Sequence, residues 1–304
     1  MGSTIIIQEK PWFMRGLLKK LPTFFSSTRA PFLRSSVGFS ILVEWFCIFM
    51  KLSECINILG AFLGKRDLAN LTADELLTRF GFAKADVFVL FGGSILCGAD
   101  IFAEAKRNGL AKKYFIVGGF GHTTDTLRNR AQAFLPEVDC SKLFEAEIFQ
   151  AYLKKYYNLK ADYLETQSTH CGNNITNLLA LLEKEGLPYA SIILSQDATM
   201  QRRMEATLKL QRPDVTIVNY ATYAAHVCEE KQKLVYEKEI FGMWPIERYV
   251  LMLLGEIKRL RDDANGYGPK GLGFIAHVDL PEEVEEAYQT LLDSGFAPRQ
   301  KFLG

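Results

Sequence analysis

A chain of 304 residues, 48% of them hydrophobic, can bury one large core or a core with a smaller subdomain. A charged fraction of 23% excludes a disordered chain, and a formal net charge of +1 gives no electrostatic footprint for nucleic acid. Cys47, Cys55, Cys97, Cys140, Cys171 and Cys228 form no CxxC pair and have no histidines at zinc-finger spacing, so they read as reduced, mostly buried thiols of a cytoplasmic protein without a metal site.

Residues 1–45 read as an N-terminal extension. Lys10, Arg15, Lys19, Lys20, Arg29 and Arg34 precede the apolar run "VGFSILVEWFCIFM". Glu44 interrupts that run, which falls short of the roughly 20 apolar residues a bilayer span needs, and no small-residue cleavage site follows it. It is expected to pack on the protein as a helix. Apolar spacing predicts helices over 46–64 and 72–80. The second has a start signal in Thr72 with Glu75, and Gly81 stands just past its end.

From Asp86 the rhythm changes. "DVFVLFGGS" reads as a strand, followed by a helix through Arg107. "YFIVGGFGHTT" is a second strand with a glycine loop, followed by helices around 126–134 and 144–157. "ADYLETQSTHCGNN" leads into a helix through Glu185, "ASIILSQDATMQRR" into a helix to about Gln211, and "VTIVNYATY" closes the series. Apolar strands alternating with helices predict right-handed βαβ units and a parallel sheet covered on both faces. A helical stretch is expected from Glu239 through Arg261, a break at "DDANGYGPKG", and a last helix over 281–293.

In such a sheet, ligands bind beyond the carboxyl ends of the strands. Gly92, Gly93 and Ser94 follow the first strand, and Gly118, Gly119, Gly121 and His122 the second. Glu165, Ser168 and Thr169 follow the third, with Asn174 at the next helix start. Gln196, Asp197, Gln201, Arg202 and Arg203 follow the fourth. The dense Gly, Ser, Thr and Asn at these points predict a small-molecule cleft. The glycine loop is expected to relieve backbone angles and to turn N–H groups toward an anion, with Thr123, Thr124 or Asp125 capping the next helix. Alternatively it only turns the chain. Glu165 reads as a ribose acceptor or base, or else as a cap or a partner of Arg202. Glu145 reads as a helix-start carboxylate, and His122 as a ligand contact, proton carrier or loop hydrogen-bonder. Arg202 and Arg203 read as an anion clamp or as ion pairs with protein acids. Cys171 reads as an inert thiol.

"QSTHCGNN", "TMQRRMEATL" and "WPIERYVLMLLGEIKRLRDDANGYGPKGLGFIAHVDLP" resemble the YdcF family, the cytoplasmic branch of a bacterial group that also holds the membrane-anchored ElyC and SanA types. "GGFGHTT" and "FEAEI" also fit, and the resemblance runs from about Lys51 to about Leu292. It implies an α/β fold: a Rossmann-like domain over 84–225, with a smaller helical part built from 46–83 and 226–304. It also implies affinity for S-adenosylmethionine at the loop residues named above, with no reaction attached. Asn173 stands where the family pattern has an acid. On this resemblance the glycine-loop donors would receive the methionine carboxylate and Glu165 the ribose diol. A carboxylate or aromatic ring would face the sulfonium.

Three functions stay open at this point. The first is a cytoplasmic nucleoside-cofactor binder, possible as a methyltransferase. The second is an enzyme acting on a phosphorylated or nucleotide-like molecule, with His122 or Glu165 handling protons. The third is a non-catalytic, envelope-related regulator docked through residues 1–50. Tyr267 and Lys270, in the glycine-rich break, are lid candidates over the cleft, or else belong to a packing subdomain. The oligomeric state is left open.

Overall fold

The computed structural model describes residues 5–6, 52–231 and 233–296. The apolar run at 37–50, Cys47 and the remainder of the 1–45 extension lie outside the described residues. Strand β1 is Ile5–Ile6, and helix α1 is Leu52–Leu63. Helix α2 (Ala73–Phe80) starts and stops where its signals predict. The Thr72 hydroxyl accepts the Glu75 N–H, and Gly81 takes a left-handed φ of 79° that closes the helix.

The α/β series runs β2 (Ala85–Phe91), α3 (Gly98–Arg107), β3 (Ala111–Val117), α4 (Thr124–Gln132), α5 (Glu145–Tyr157), β4 (Tyr163–Glu165), α6 (Cys171–Lys184), β5 (Ser191–Ser195), α7 (Gln201–Gln211) and β6 (Thr216–Asn219). Five parallel strands pair in the order β4-β3-β2-β5-β6. Strand side chains alternate between two cores, as period 2 demands. Phe88, Leu90, Tyr114 and Ile116 pack under α3, α4 and α5, with Phe102, Leu127 and Phe149. Val87, Val89, Phe91, Phe115 and Val117 pack under α6 and α7, with Leu178 and Met204. The fold is therefore α/β, a Rossmann-like three-layer sandwich, as the alternation predicts.

A third core belongs to the smaller subdomain. There α1 packs with α8 (Ile246–Leu260), α9 (Glu282–Asp293) and the hairpin β7 (Val227–Glu230)–β8 (Lys233–Tyr236). Ile56, Leu59, Leu63, Tyr249, Leu253 and Leu291 meet Ile95, Ala198 and Tyr223, which follow β2, β5 and β6. Helix α1, before the α/β series, and the elements after it thus meet at the carboxyl edge of the sheet.

Two features depart from the sequence reading. The helix expected from Glu239 begins only at Ile246, because Gly242 adopts a φ of 76° and Pro245 sits at the N-cap. The subdomain is also not wholly helical, since β1, β8 and β7 form a small antiparallel sheet, with Ile5 opposite Leu234. Among the described residues no helix is long and apolar enough to cross a membrane.

Candidate functional site

After β2 the chain crosses to β3 on one side, and after β5 it proceeds to β6 on the other. The strand order reverses between these two neighbours, so the loops after them part at the carboxyl edge. Between them lies a cavity of about 10 Å³, lined among others by Gly93, Ile95, Phe149, Gln196, Asp197 and Thr222. That is room for about one water molecule.

The β5 side is built from buried polar groups. Gln201, at the first position of α7, accepts the Gln196 N–H at 2.9 Å and donates to Leu194 O and Asn219 Oδ1. It is a strut for the loop, with its amide fully used inside the protein. Gln196 is fully buried, and its Oε1 accepts the Asp197 N–H at 2.6 Å. Its Nε2 has no partner, and neither has the buried Ser195 hydroxyl. Asp197 Oδ1 accepts the Thr199 N–H, the Thr199 hydroxyl and the Tyr223 hydroxyl at 2.7–2.9 Å. Burial pushes the Asp197 pKa up against the effect of those bonds. The neighbouring Cys97 thiol is pushed up to about 12 by burial, with Asp197 and Asp100 adding to the shift, so it stays neutral.

The glycine loop after β3 is not an open anion cradle. Gly118 N–H donates to Glu165 O, Gly119 N–H to Ser168 Oγ, Phe120 N–H to Ser168 O and Gly121 N–H to Thr124 Oγ1. The first turn of α5 meets the carbonyls of the same loop. Glu145 N–H donates to Gly119 O at 3.1 Å and Ala146 N–H to Gly118 O at 2.8 Å. The loop therefore satisfies a helix N-terminus internally, where the sequence reading placed a ligand. None of Gly92, Gly93, Gly118, Gly119 and Gly121 has a left-handed φ. Gly92, Gly118 and Gly119 are needed for close approach instead. A Cβ on Gly118 would stand 3.0 Å from the Gly92 Cα, and one on Gly119 2.7 Å from Thr166 O. The helix-capping expectation also changes. The N-cap Thr123 makes no side-chain cap bond, and the fully buried Thr124 hydroxyl donates to Glu145 Oε1 at 2.7 Å.

Glu165, at the end of β4, accepts the Gln167 N–H at 2.6 Å and the Asn177 amide at 3.0 Å through Oε1. Its Oε2 is buried without a partner. Three of the buried orphan side-chain atoms among the described residues thus belong to the ends of β4 and β5. Gly92, Gly93, Ser94, Gly118, Gly119, Gly121, Glu145, Glu165, Ser168, Gln196 and Asp197 share this edge. Ser94 is buried, and His122 and Thr169 are exposed. Asn174 lies in the first turn of α6. Asn173, in the position expected to be acidic, caps α6 with Oδ1 on the Thr169 and His170 N–H groups.

Arg202 does not join them. Its Nε donates to Phe62 O at 2.6 Å and its guanidinium stacks 4.1 Å over the Phe62 ring, so it braces α7 on α1. Arg203 pairs with Glu256, the ion-pair alternative of the sequence reading. Tyr267 packs edge-on to Phe274, and Lys270 lines a separate open groove of about 430 Å³ with Asp262 and His277. Neither lines the cavity between β2 and β5. The five described cysteines are free, and among the described residues no group of three or more His, Cys, Asp or Glu side chains suits a metal ion.

Burial raises the Glu145 pKa above its ordinary 4.5, so the native state holds its proton to higher pH than the unfolded chain. Stability that is complete below about 4.5 is then lost as pH rises through the native pKa. Glu145→Gln keeps the acceptor for Thr124 and removes that loss. Urea midpoints are expected to match wild type at pH 4 and to exceed it at pH 7; a lower midpoint at pH 7 would contradict the sign. No family model matches the chain.

Proposed function

We propose that the crevice between β2 and β5 binds a nucleoside-type small molecule, with S-adenosylmethionine the leading candidate. One observation carries this reading: the Gln196 amide donor is wholly buried beside the cavity and has no acceptor. An unmet buried donor costs about 1–3 kcal/mol, a cost that a ligand acceptor would remove.

The donor set suits such a ligand better than a phosphorylated one. The Asp197 carboxylate offers an acceptor for a hydroxyl, and Phe91 and Phe149 offer apolar walls. The amides that a phosphate would need in the glycine loop already donate to Glu165, Ser168 and Thr124. Bound S-adenosylmethionine would supply an electrophilic methyl group. The family resemblance and a cytoplasmic location are part of the same proposal. Because the cavity is about 10 Å³, the Gly93–Cys97 loop must separate from Gln196 and Thr222 before anything larger than water enters.

Thermal shift with S-adenosylmethionine, S-adenosylhomocysteine, ATP and inorganic phosphate tests this. A ligand at a hundred times its Kd is expected to add about 2.7 kcal/mol. Gln196→Leu should abolish the shift; removing the unpaired Nε2 offsets the Asp197 N–H that Leu leaves without an acceptor, so ligand-free stability should change by less than about 1 kcal/mol. A response to phosphate compounds alone, or an undiminished shift in Gln196→Leu, rejects the reading.

A further inference from the structure

Beside the crevice, two guanidiniums share one indole. Arg130, in the last turn of α4, lies 4.4 Å from the Trp244 ring centroid, and Arg248, in the first turn of α8, lies 3.8 Å from it. Arg130 Nη1 donates to Ser94 O at 3.0 Å and Gly242 O at 2.7 Å, which ties the cluster to the loop after β2. Neither arginine makes an ion pair among the described residues. Trp244 is 3% exposed, and its indole N–H has no acceptor.

This arrangement is unfavourable without a counter-charge. Two like charges repel, and both burial and Arg248 pull the Arg130 pKa down. Arg248 also sits at the positive end of the α8 dipole, where a cation is disfavoured and an anion favoured. Stacking on indole offsets part of this cost but neutralises no charge. Planar guanidiniums with free donors match the oxygens of carboxylates and phosphates.

We propose that Arg130, Arg248 and the Trp244 N–H form an anion subsite at the rim of the crevice, taking a carboxylate or phosphate group of the ligand bound there. This rests on the crevice reading. It gives the ligand's acidic end a place that the glycine loop, with its amides engaged, does not offer.

The test compares S-adenosylhomocysteine, 5′-methylthioadenosine (the same thioether nucleoside without the amino-acid end) and inorganic pyrophosphate, by calorimetry at fixed ionic strength. Arg248→Met, at an exposed position, is expected to weaken S-adenosylhomocysteine or pyrophosphate at least tenfold and to leave 5′-methylthioadenosine unchanged. Loss for S-adenosylhomocysteine identifies a carboxylate, and loss for pyrophosphate a phosphate. Arg130→Met should act likewise. In the unaltered protein, the effective anion should also slow phenylglyoxal modification of Arg248. Pyrophosphate binding that Arg248→Met abolishes, with no nucleoside binding, would keep the subsite and discard the nucleoside reading. Equal binding of every probe by wild type and both variants, or no anion protection of Arg248, overturns the subsite.

Discussion

Glu256→Ala is expected to cost about 3–5 kcal/mol, the range for removing one partner of a buried ion pair. Arg203 on α7 donates to Glu256 on α8 through Nε at 2.5 Å and Nη2 at 3.0 Å, and the two side chains are 12% and 7% exposed. Arg259 adds a third contact to the same carboxylate at 3.2 Å. Burial opposes the Arg203 charge, but the hydrogen-bonded Glu256 carboxylate favours it, and the net shift is upward. Left without Glu256, the guanidinium stays charged and buried, because arginine does not shed its proton in proteins. The pair joins the three-layer domain to the smaller subdomain, so its loss should loosen that junction first. The double variant Arg203→Met/Glu256→Leu should recover most of the loss, since apolar groups of similar volume carry no desolvation cost. Urea unfolding measures both. A loss below about 1 kcal/mol for Glu256→Ala would show a solvated pair of the surface kind.

The second large effect is expected at Gly119. An alanine there would place Cβ 2.7 Å from Thr166 O and 2.9 Å from Ser168 N, and closer still to Ser168 O. All three are backbone atoms, and they belong to the loop that supplies the acceptors for Gly119 and Phe120. Relief requires the β3 and β4 loops to separate, which breaks those bonds as well as the packing. Gly119→Ala should therefore lose about 3 kcal/mol or more, beyond the usual overpacking range. Gly121→Ala is the control: its Cβ meets only Thr169 O, at 3.5 Å, and its φ is not left-handed. It should cost under about 1 kcal/mol, as for a site with ordinary contacts. Equal midpoints for the two variants would refute the close-approach account.

Much of the fold was legible because it is written in periodicity. Runs such as Val87–Phe91 and Tyr114–Val117 are apolar at every position, and both faces are in fact buried. The hairpin β7–β8 was not legible. Its turn begins with Lys231 at a φ of 49°, a conformation that asparagine or glycine normally announces. The candidate edge was legible as a group of loops, since small and polar residues follow each strand. Individual roles were not. Gln201 and Gln196 are both buried glutamines five residues apart, yet one is fully bonded and the other keeps a free donor. The placement of Leu194 O and of Asn219, on a strand distant in sequence, within reach of Gln201 alone separates them. Glycine had a similar ambiguity: relief of torsion and close backbone approach require the same residue. The cluster of Arg130, Trp244 and Arg248 joins two segments with no shared motif, and only the fold brings them together.

The cavity at the strand reversal has a kinetic meaning as well. If the resting protein is shut to everything beyond a single water, a visitor must wait for a rare parted form, and its measured affinity is lowered by the scarcity of that form. Ile95 lines the cavity and also belongs to the subdomain core, so the latch is secured by the packing of that smaller core. Residues that never touch the visitor would then govern how quickly it arrives and how firmly it appears to be held.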